Sequence, residues 1–299
     1  MENFIVISVF VCIGGLLRRL PVFPAQTAQV LNLFALYVAL PAVILLKAPH
    51  IRFSQEMLLP AVVPWAMLLF SAALVLWCGR VFRWSREVVG VLLLVVPMGN
   101  TSFMGVPMVT AFFGEQGLPA LIIYDQVGTT LIFAVYGSAI LAAYGSNMRI
   151  RPALIARKAI LFPPTLALLL GLGLFRTWSY PEPVFGFLKT LSAMLTPLVM
   201  TAIGFQLKVR LSPATLRPLG FALLVKLIAA PLAALAACRL LGFDTLAANV
   251  SVFEAGMPPM VIAGTMAMAA GLAPELAAAT ISSGMLLSFL TLPLLFWLI

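Results

Sequence analysis

Charge is the scarcest commodity in this sequence. Asp, Glu, Lys and Arg make up 9% of the 299 residues, apolar residues make up 63%, and the mean hydropathy is +1.13. A water-soluble domain of this length could not hide so much apolar surface, because much of any folded surface must face solvent. Histidine is almost missing, His50 being the single copy, and the three cysteines (Cys12, Cys78, Cys238) have no paired spacing. That excludes a disulfide framework and a zinc cluster, and it leaves an intramembrane enzyme without a nucleophile–base pair. The cysteines, set in or at the ends of apolar runs, are expected to be buried small hydrophobes. His50, beside Arg52 in a loop, is expected to be solvated. No GxxxxGK[ST] phosphate loop occurs, so ATP is not the direct energy source. Nor is there a repeated filter loop or ring of charges to make a channel.

What fills the chain instead is a series of long, nearly uncharged runs, each able to cross a hydrocarbon layer of ~30 Å. They do not alternate polar and apolar residues, which excludes a transmembrane barrel. About ten spans are expected: 3–17, 27–47, 58–79, 87–113, 117–145, 152–175, 184–207, 213–239, 246–270 and 273–298. The intervals are short and carry Pro, Gly, Arg, Lys or Glu, leaving no room for an inserted soluble domain. Residues 4–17 look like a signal peptide, but their charges, Arg18 and Arg19, follow the apolar stretch and do not precede it, so a retained first span is expected.

The net charge of +9 does not imply nucleic acid, because Lys and Arg sit in short loops and form no binding face. Their distribution fixes an orientation instead. With the N-terminus outside, Arg18, Arg19, Arg80, Arg83, Arg86, Arg149, Arg151, Arg157, Lys158, Lys208, Arg210 and Arg217 fall in or beside cytoplasmic loops. Lys47, Arg52, Arg176, Lys189 and Arg239 fall outside, and Lys226 lies within a span. The excess inside places both termini on the non-cytoplasmic side. Trp77, Trp84, Tyr144, Trp178, Tyr180 and Trp297 mark span ends, as an interfacial aromatic belt does.

The chain echoes itself. Pro41 (LPAVILL, 40–46) and Pro197 (TPLVMTA, 196–202) lie mid-span in the second helix of each half. Val106-Pro107-Met108-Val109 has a counterpart in Pro258-Pro259-Met260-Val261, in the fourth helix of each half. Five spans per half, an odd number, make the second half enter the membrane from the opposite side, the inverted repeat of secondary transporters. The two repeats are 1–148 and 149–299.

Spans four and nine should be broken. VVPMGNTSFMGVPMV (95–109) and VFEAGMPPMV (252–261) concentrate helix breakers where a membrane helix should be continuous. The freed amides and carbonyls cannot face lipid and must be buried in protein or line a wet cavity. Two such stretches would cross near the midplane, with half-helix N-termini near Pro107 and Pro258 offering positive dipole ends to an anion. Asn100, Thr101, Ser102, Gly105, Pro107, Gly256, Met257, Pro258 and Pro259 are the candidate substrate-binding residues. Pro41, Pro197 and Pro163-Pro164 read as bends for packing. Gly14-Gly15 and Gly171-Leu172-Gly173 read as close helix contacts.

Three ionisable residues fall within spans and are candidates for coupling or charge pairing: Asp125, Lys226 and Glu254. Asp125 lies near a span end, where water can reach it. Lys226 is open to three roles: a static ion pair, neutralising Glu254 or Asp125, or meeting a substrate carboxylate. Glu254 abuts the break. Gln126 and Gln206 either line the cavity or cap helix ends.

GNTSFMGVPMVTAFFG (99–114), AGMPPMVIAGTMAMAAG (255–271) and ISSGMLLSFLTLPLL (281–295) resemble the auxin efflux carrier family and its bacterial permeases. The resemblance covers essentially the whole chain. It implies an all-α membrane protein of two inverted five-helix repeats, similar to bile-acid symporters and some sodium/proton antiporters. It also implies an elevator mechanism, with spans 1, 2, 6 and 7 as scaffold and spans 3–5 and 8–10 as the moving unit. Substrates in such families are organic anions: auxin in plants, malonate or malate-like carboxylates for some bacterial members. Asn100 matches the crossover asparagine, and Pro107 and Pro259 match the crossover prolines. No cofactor is implied. The coupling ion is a proton or sodium, the sodium case being the bile-acid type of symporter. A bacterial inner-membrane location and a homodimer through the scaffold helices accompany the resemblance. One departure stands out: residues 145–152 form a short hinge where the plant carriers have a long cytoplasmic loop, so neither loop regulation nor auxin itself carries over.

Overall fold

The computed structural model describes residues 2–51, 53–145, 157, 160–177, 180–207 and 213–299. Among them every named element is helical, and extended backbone pairs at one isolated bridge. In chain order the helices are α1 (Glu2–Leu17), α2 (Thr27–His50), α3 (Gln55–Val81), α4 (Arg86–Val95), α5 (Gly105–Phe113) and α6 (Glu115–Tyr144). There follow α7 (Pro163–Leu172), α8 (Glu182–Gln206), α9 (Leu216–Leu240), α10 (Leu246–Ala255), α11 (Val261–Ala269) and α12 (Pro274–Leu298). Six of them, α2, α3, α6, α8, α9 and α12, are long and apolar enough to cross a membrane; α1, α7 and α10 are apolar but shorter.

Proline shapes several of these rods, by different means. In α2 the turn Ala35–Ala39 widens to a π-helix just before Pro41, and in α9 Val225–Ala229 does the same before Pro231. Proline has no N–H for the carbonyl one turn back, and widening the turn relieves both that loss and the ring's clash. Pro197, the sequence counterpart of Pro41, behaves differently: α8 is interrupted at Met194, between Glu182–Ala193 and Leu195–Gln206, and Pro197 falls in the first turn after the interruption. Pro163-Pro164 do not bend a span but open α7, where missing N–H groups cost nothing. Helix α6 carries two further π stretches, Tyr124–Thr130 and Phe133–Gly137.

Packing divides the helices into two groups. α1, α2, α7 and α8 pack mainly on one another; α3, α4, α6 and α9–α12 do likewise, and α5 touches both. Within the first group α1 and α8 approach as closely as backbones can. A Cβ at Gly204 would stand 1.9 Å from the Val11 carbonyl oxygen, and one at Gly14 would stand 2.0 Å from that of Thr201. Small residues at both contact points are what permit this, as the sequence indicated for Gly14. Gly171 lies similarly against Ala48. Between the groups the contact is aromatic on the α1 side, where Phe4 meets Phe112 at 5.6 Å and Phe289 at 6.1 Å, centroid to centroid. It is polar where α2 and α7 meet α6, through Lys47–Glu115 and Thr165–Gln126.

The surface carries the expected marks of a lipid environment. Trp77 and Trp297 are exposed near helix ends, and large apolar side chains such as Leu69 and Leu240 are exposed as well. Arginines at or beside helix ends cap foreign helix ends: Arg18 donates to the Leu207 carbonyl after α8, Arg86 to Ala143 near the end of α6, and Arg239 to Leu298 at the end of α12. His50 is exposed as expected, and Cys78 and Cys238 are buried. Cys12 is not: it sits on the exposed face of α1, because a helix in lipid is apolar on both faces and composition alone does not say which is inside. Arg52, Arg149, Arg151, Lys158, Trp178, Lys208 and Arg210 lie outside the described residues.

A Gly204→Ala substitution is expected to cost about 1–3 kcal/mol through overpacking against α1. Gly220→Ala on the open face of α9, where a Cβ would meet nothing within 4 Å, serves as the control and should be neutral or slightly stabilising. Thermal unfolding in detergent separates the two; equal melting points would contradict the close α1–α8 approach.

Candidate functional site

Two helices come apart in the same way. Both α4 and α10 start on a hydroxyl cap, Ser85 accepting from the Val88 N–H and Thr245 from Ala248. Both run ten residues, then unwind: α4 at Val96-Pro97 and α10 at Gly256-Met257. Short extended pieces follow, Met98–Asn100 and Pro258–Met260, and these two lie antiparallel with Gly99 opposite Pro259. The Asn100 N–H donates to the Pro258 carbonyl at 2.7 Å, and the Met260 N–H donates to Met98 at 3.0 Å. Pro258 and Pro259 have no N–H to give, so the donors in this ladder come from their neighbours.

Beyond the bridge the two arms differ. α11 starts at once, at Val261, whereas residues 101–104 form a turn before α5 begins at Gly105. That turn is closed by the Asn100 carbonyl, which accepts from Met104 and Gly105 at 3.1 Å each. The sequence echo between Val106–Val109 and Pro258–Val261 therefore does not join equivalent places. Pro107 lies within the first turn of α5, while Pro258 and Pro259 lie in the break itself.

Asn100, Thr101, Ser102, Gly256, Met257, Pro258 and Pro259 lie in or directly beside the two breaks, Gly105 and Pro107 lie in the first turn of α5, and all but Ser102 are buried. Asn100 is 4% exposed, and its side-chain Nδ2 has no hydrogen-bond partner. Thr101 and Ser102 give both their hydroxyl hydrogens to Oδ1 of Asp125, at 2.5 and 2.6 Å, which leaves only lone pairs for anything else. Gln126 donates to Oδ2 of the same carboxylate at 2.7 Å. Asp125 is thus no wet residue near a span end. It is 3% exposed, because the 101–104 turn folds over the π stretch that carries it.

Lys226 sits on the π turn of α9 and donates to the carbonyl of Ala255, the last residue of α10, at 3.1 Å. A cation at a helix C-terminus is favourably placed. A Cβ on Gly99 would stand 3.2 Å from its Nζ, so glycine there makes room for the ammonium group. Neither Glu254 nor Asp125 pairs with it within 4.0 Å; among the described residues the ion pair is Lys47–Glu115, at 2.6 Å on the surface. Glu254 is fully buried and both its carboxylate oxygens lack partners. They lie against the start of α5, where a Cβ on Gly105 would be 2.6 Å from Oε1 and 2.9 Å from Oε2. The positive end of that half-helix, expected to face a substrate, is occupied by the protein's own carboxylate.

Unfilled hydrogen-bonding capacity therefore collects at the crossing: the Asn100 amide nitrogen, the remaining donor positions of Lys226, and both oxygens of Glu254. The first two suit an anion; the last suits a proton or cation. The Ala255 carbonyl and Thr165, which donates to Gln126 at 3.2 Å, were not singled out from sequence, and Gly99 was read only as one of the helix breakers. Their roles arise from neighbours far away in the chain. Gln206 ends α8 and has no part in the crossing. A separate cavity of about 590 Å³, lined by Leu76, Arg80, Trp84, Arg86, Val89 and Tyr144, lies at the opposite end of α4 from the break.

Comparison with known proteins sets the chain among membrane transport proteins. The family model described as membrane transport protein matches residues 1–296. A protein of Methanothermobacter thermautotrophicus named as an uncharacterized transporter is 31% identical over 300 residues, covering 98% of this chain and 96% of its own length. Another uncharacterized transporter, from Methanocaldococcus jannaschii, is 27% identical over 266 residues, covering 86% and 85% respectively.

The contact between Gly105 and Glu254 makes a coupled prediction. Gly105→Ala should destabilise the protein by about 1–3 kcal/mol. Adding Glu254→Ala should recover much of that loss, giving a coupling energy of about 1–2 kcal/mol in a double-mutant cycle read by unfolding in detergent. Additive effects would separate the two residues.

Proposed function

This chain belongs to the membrane transport protein family, the auxin efflux carrier family of the sequence resemblance, and on that premise we propose that it carries a small organic anion by alternating access. The observation that carries this reading is the Asn100 side chain, buried at the pairing of two broken helices with its amide nitrogen unmatched. A buried donor without a partner costs about 1–3 kcal/mol, and a substrate carboxylate would meet it. Lys226, with one hydrogen bond made to Ala255, supplies the compensating charge beside it.

The motion is of elevator type. Helices α1, α2, α7 and α8 stay fixed, and the group containing both breaks slides against them along an aromatic contact. These fixed helices offer the surface for a homodimer. Both termini lie outside the cytoplasm, as the loop charges direct, and the protein resides in the inner membrane of a bacterial cell.

Glu254 is the coupling group, with Asp125 as its partner in proton transport. A carboxylate buried without hydrogen bonds calls for a proton or a cation. The same two free oxygens favour one second reading, sodium-coupled symport of the bile-acid type, with Glu254 as the sodium ligand.

Uptake of mono- and dicarboxylates into proteoliposomes tests these readings. Asn100→Ala should lower uptake at least tenfold while the melting temperature and gel-filtration profile persist; uptake at the wild-type rate would overturn the substrate role. Glu254→Gln should uncouple uptake from an imposed pH gradient. Replacing sodium by a larger cation should leave the wild-type rate unchanged, whereas its collapse would favour the sodium reading.

A further inference from the structure

A chain of hydrogen bonds leaves the crossing and ends on the other packing group. Thr101 and Ser102 donate to Oδ1 of Asp125, Gln126 Nε2 donates to its Oδ2, and Thr165 Oγ1 donates to Gln126 Oε1 at 3.2 Å. Thr165 stands in the first turn of α7, and α7 packs mainly with α2. So the break in one group is tied by side chains to a helix of the other.

The polarity of this chain matters. All its hydrogens point towards Asp125, as an ionised carboxylate requires, since it can only accept. A proton arriving on Oδ2 would face the Gln126 amide N–H, donor against donor. Rotating the amide by half a turn resolves the conflict: Oε1 then accepts from Asp125, and Nε2 donates to the Thr165 oxygen. The chain survives with its direction reversed, and the hydroxyl hydrogen of Thr165 must turn elsewhere.

We propose that Gln126 and Thr165 are positioning residues that convey the proton state of Asp125 to α7, so that a proton at the crossing alters how the two helix groups hold each other. The proposal rests on the alternating-access reading. Asp125 faces few other charges. From α3 there are Glu56 and Arg80, at its two ends; α7 over Pro163–Leu172 has no ionisable side chain; the chain from Val88 to Gly114 has none. On α6 itself are Glu115, Tyr136, Tyr144 and the buried Tyr124. The end of α2, which also packs against α6, brings Lys47, paired with Glu115, and the exposed His50. From α10 comes Glu254, which feels the charge of Asp125 and that of Lys226 on α9.

Distances between spin labels test the link without any substrate. Labels go on Leu169→Cys of α7 and Val135→Cys of α6, both exposed, after replacement of Cys12, Cys78 and Cys238. In the otherwise native protein the distance distribution should shift between mildly acidic and mildly alkaline buffer. Thr165→Val, which keeps the shape but removes the hydroxyl, should abolish the shift, and Thr165→Ser should restore it. A shift unchanged in Thr165→Val, a serine variant behaving like valine, or no shift in the parent would each overturn the proposal. The carrier reading fails elsewhere, in the uptake assay of Asn100→Ala, so the two can be told apart.

Discussion

Two backbone hydrogen bonds, Asn100 to Pro258 and Met260 to Met98, allow two helices to come apart inside an apolar protein. In hydrocarbon an unpaired amide or carbonyl costs several kcal/mol, so an isolated break would be intolerable. Each break here is the other's partner. The pairing needs both arms extended, antiparallel and close, and this in turn dictates the room left by Gly99, the burial of Pro259 and the entry angles of four half-helices. The rest of the site follows from that constraint.

Charge placement is the clearest consequence. Half-helices expose ends that full membrane helices hide, and the protein sets an ion beside two of them. Lys226 binds the carbonyl end of α10, and Glu254 lies against the amide end of α5. The exposed ends are served likewise by Arg18, Arg86 and Arg239. One physical rule, cation at the C-terminus and anion at the N-terminus, thus organises both the surface and the interior. The site residues stay chemically incomplete even so, because a helix end satisfies at most part of what an ammonium or carboxylate can bind.

Much of this was legible in the residue order. Proline, glycine and asparagine cannot sit in a continuous apolar helix without reason, so residues 95–109 and 252–261 announced the breaks and the resemblance placed Asn100 among them. Helix positions followed from runs of apolar residues, since length and hydropathy are properties of the chain alone. The internal echo was a weaker guide. It matched Pro107 with Pro259, yet one lies in a helix and the other in extended backbone, because four more residues separate break and helix in the first arm.

Composition and local pattern, then, determined that this is a helical membrane protein with two interrupted helices, for these depend on what each segment can do in lipid by itself. Only the tertiary structure decided who meets whom. Asp125 became a buried hub because the 101–104 turn folds over it, and Lys226 meets a carbonyl in place of a carboxylate because the end of α10 lies within its reach. Thr165 joined the site from forty residues away along the chain, measured from Asp125. No local pattern encodes such meetings, since hydrogen-bond partners are chosen by packing, and packing is settled by all the helices together.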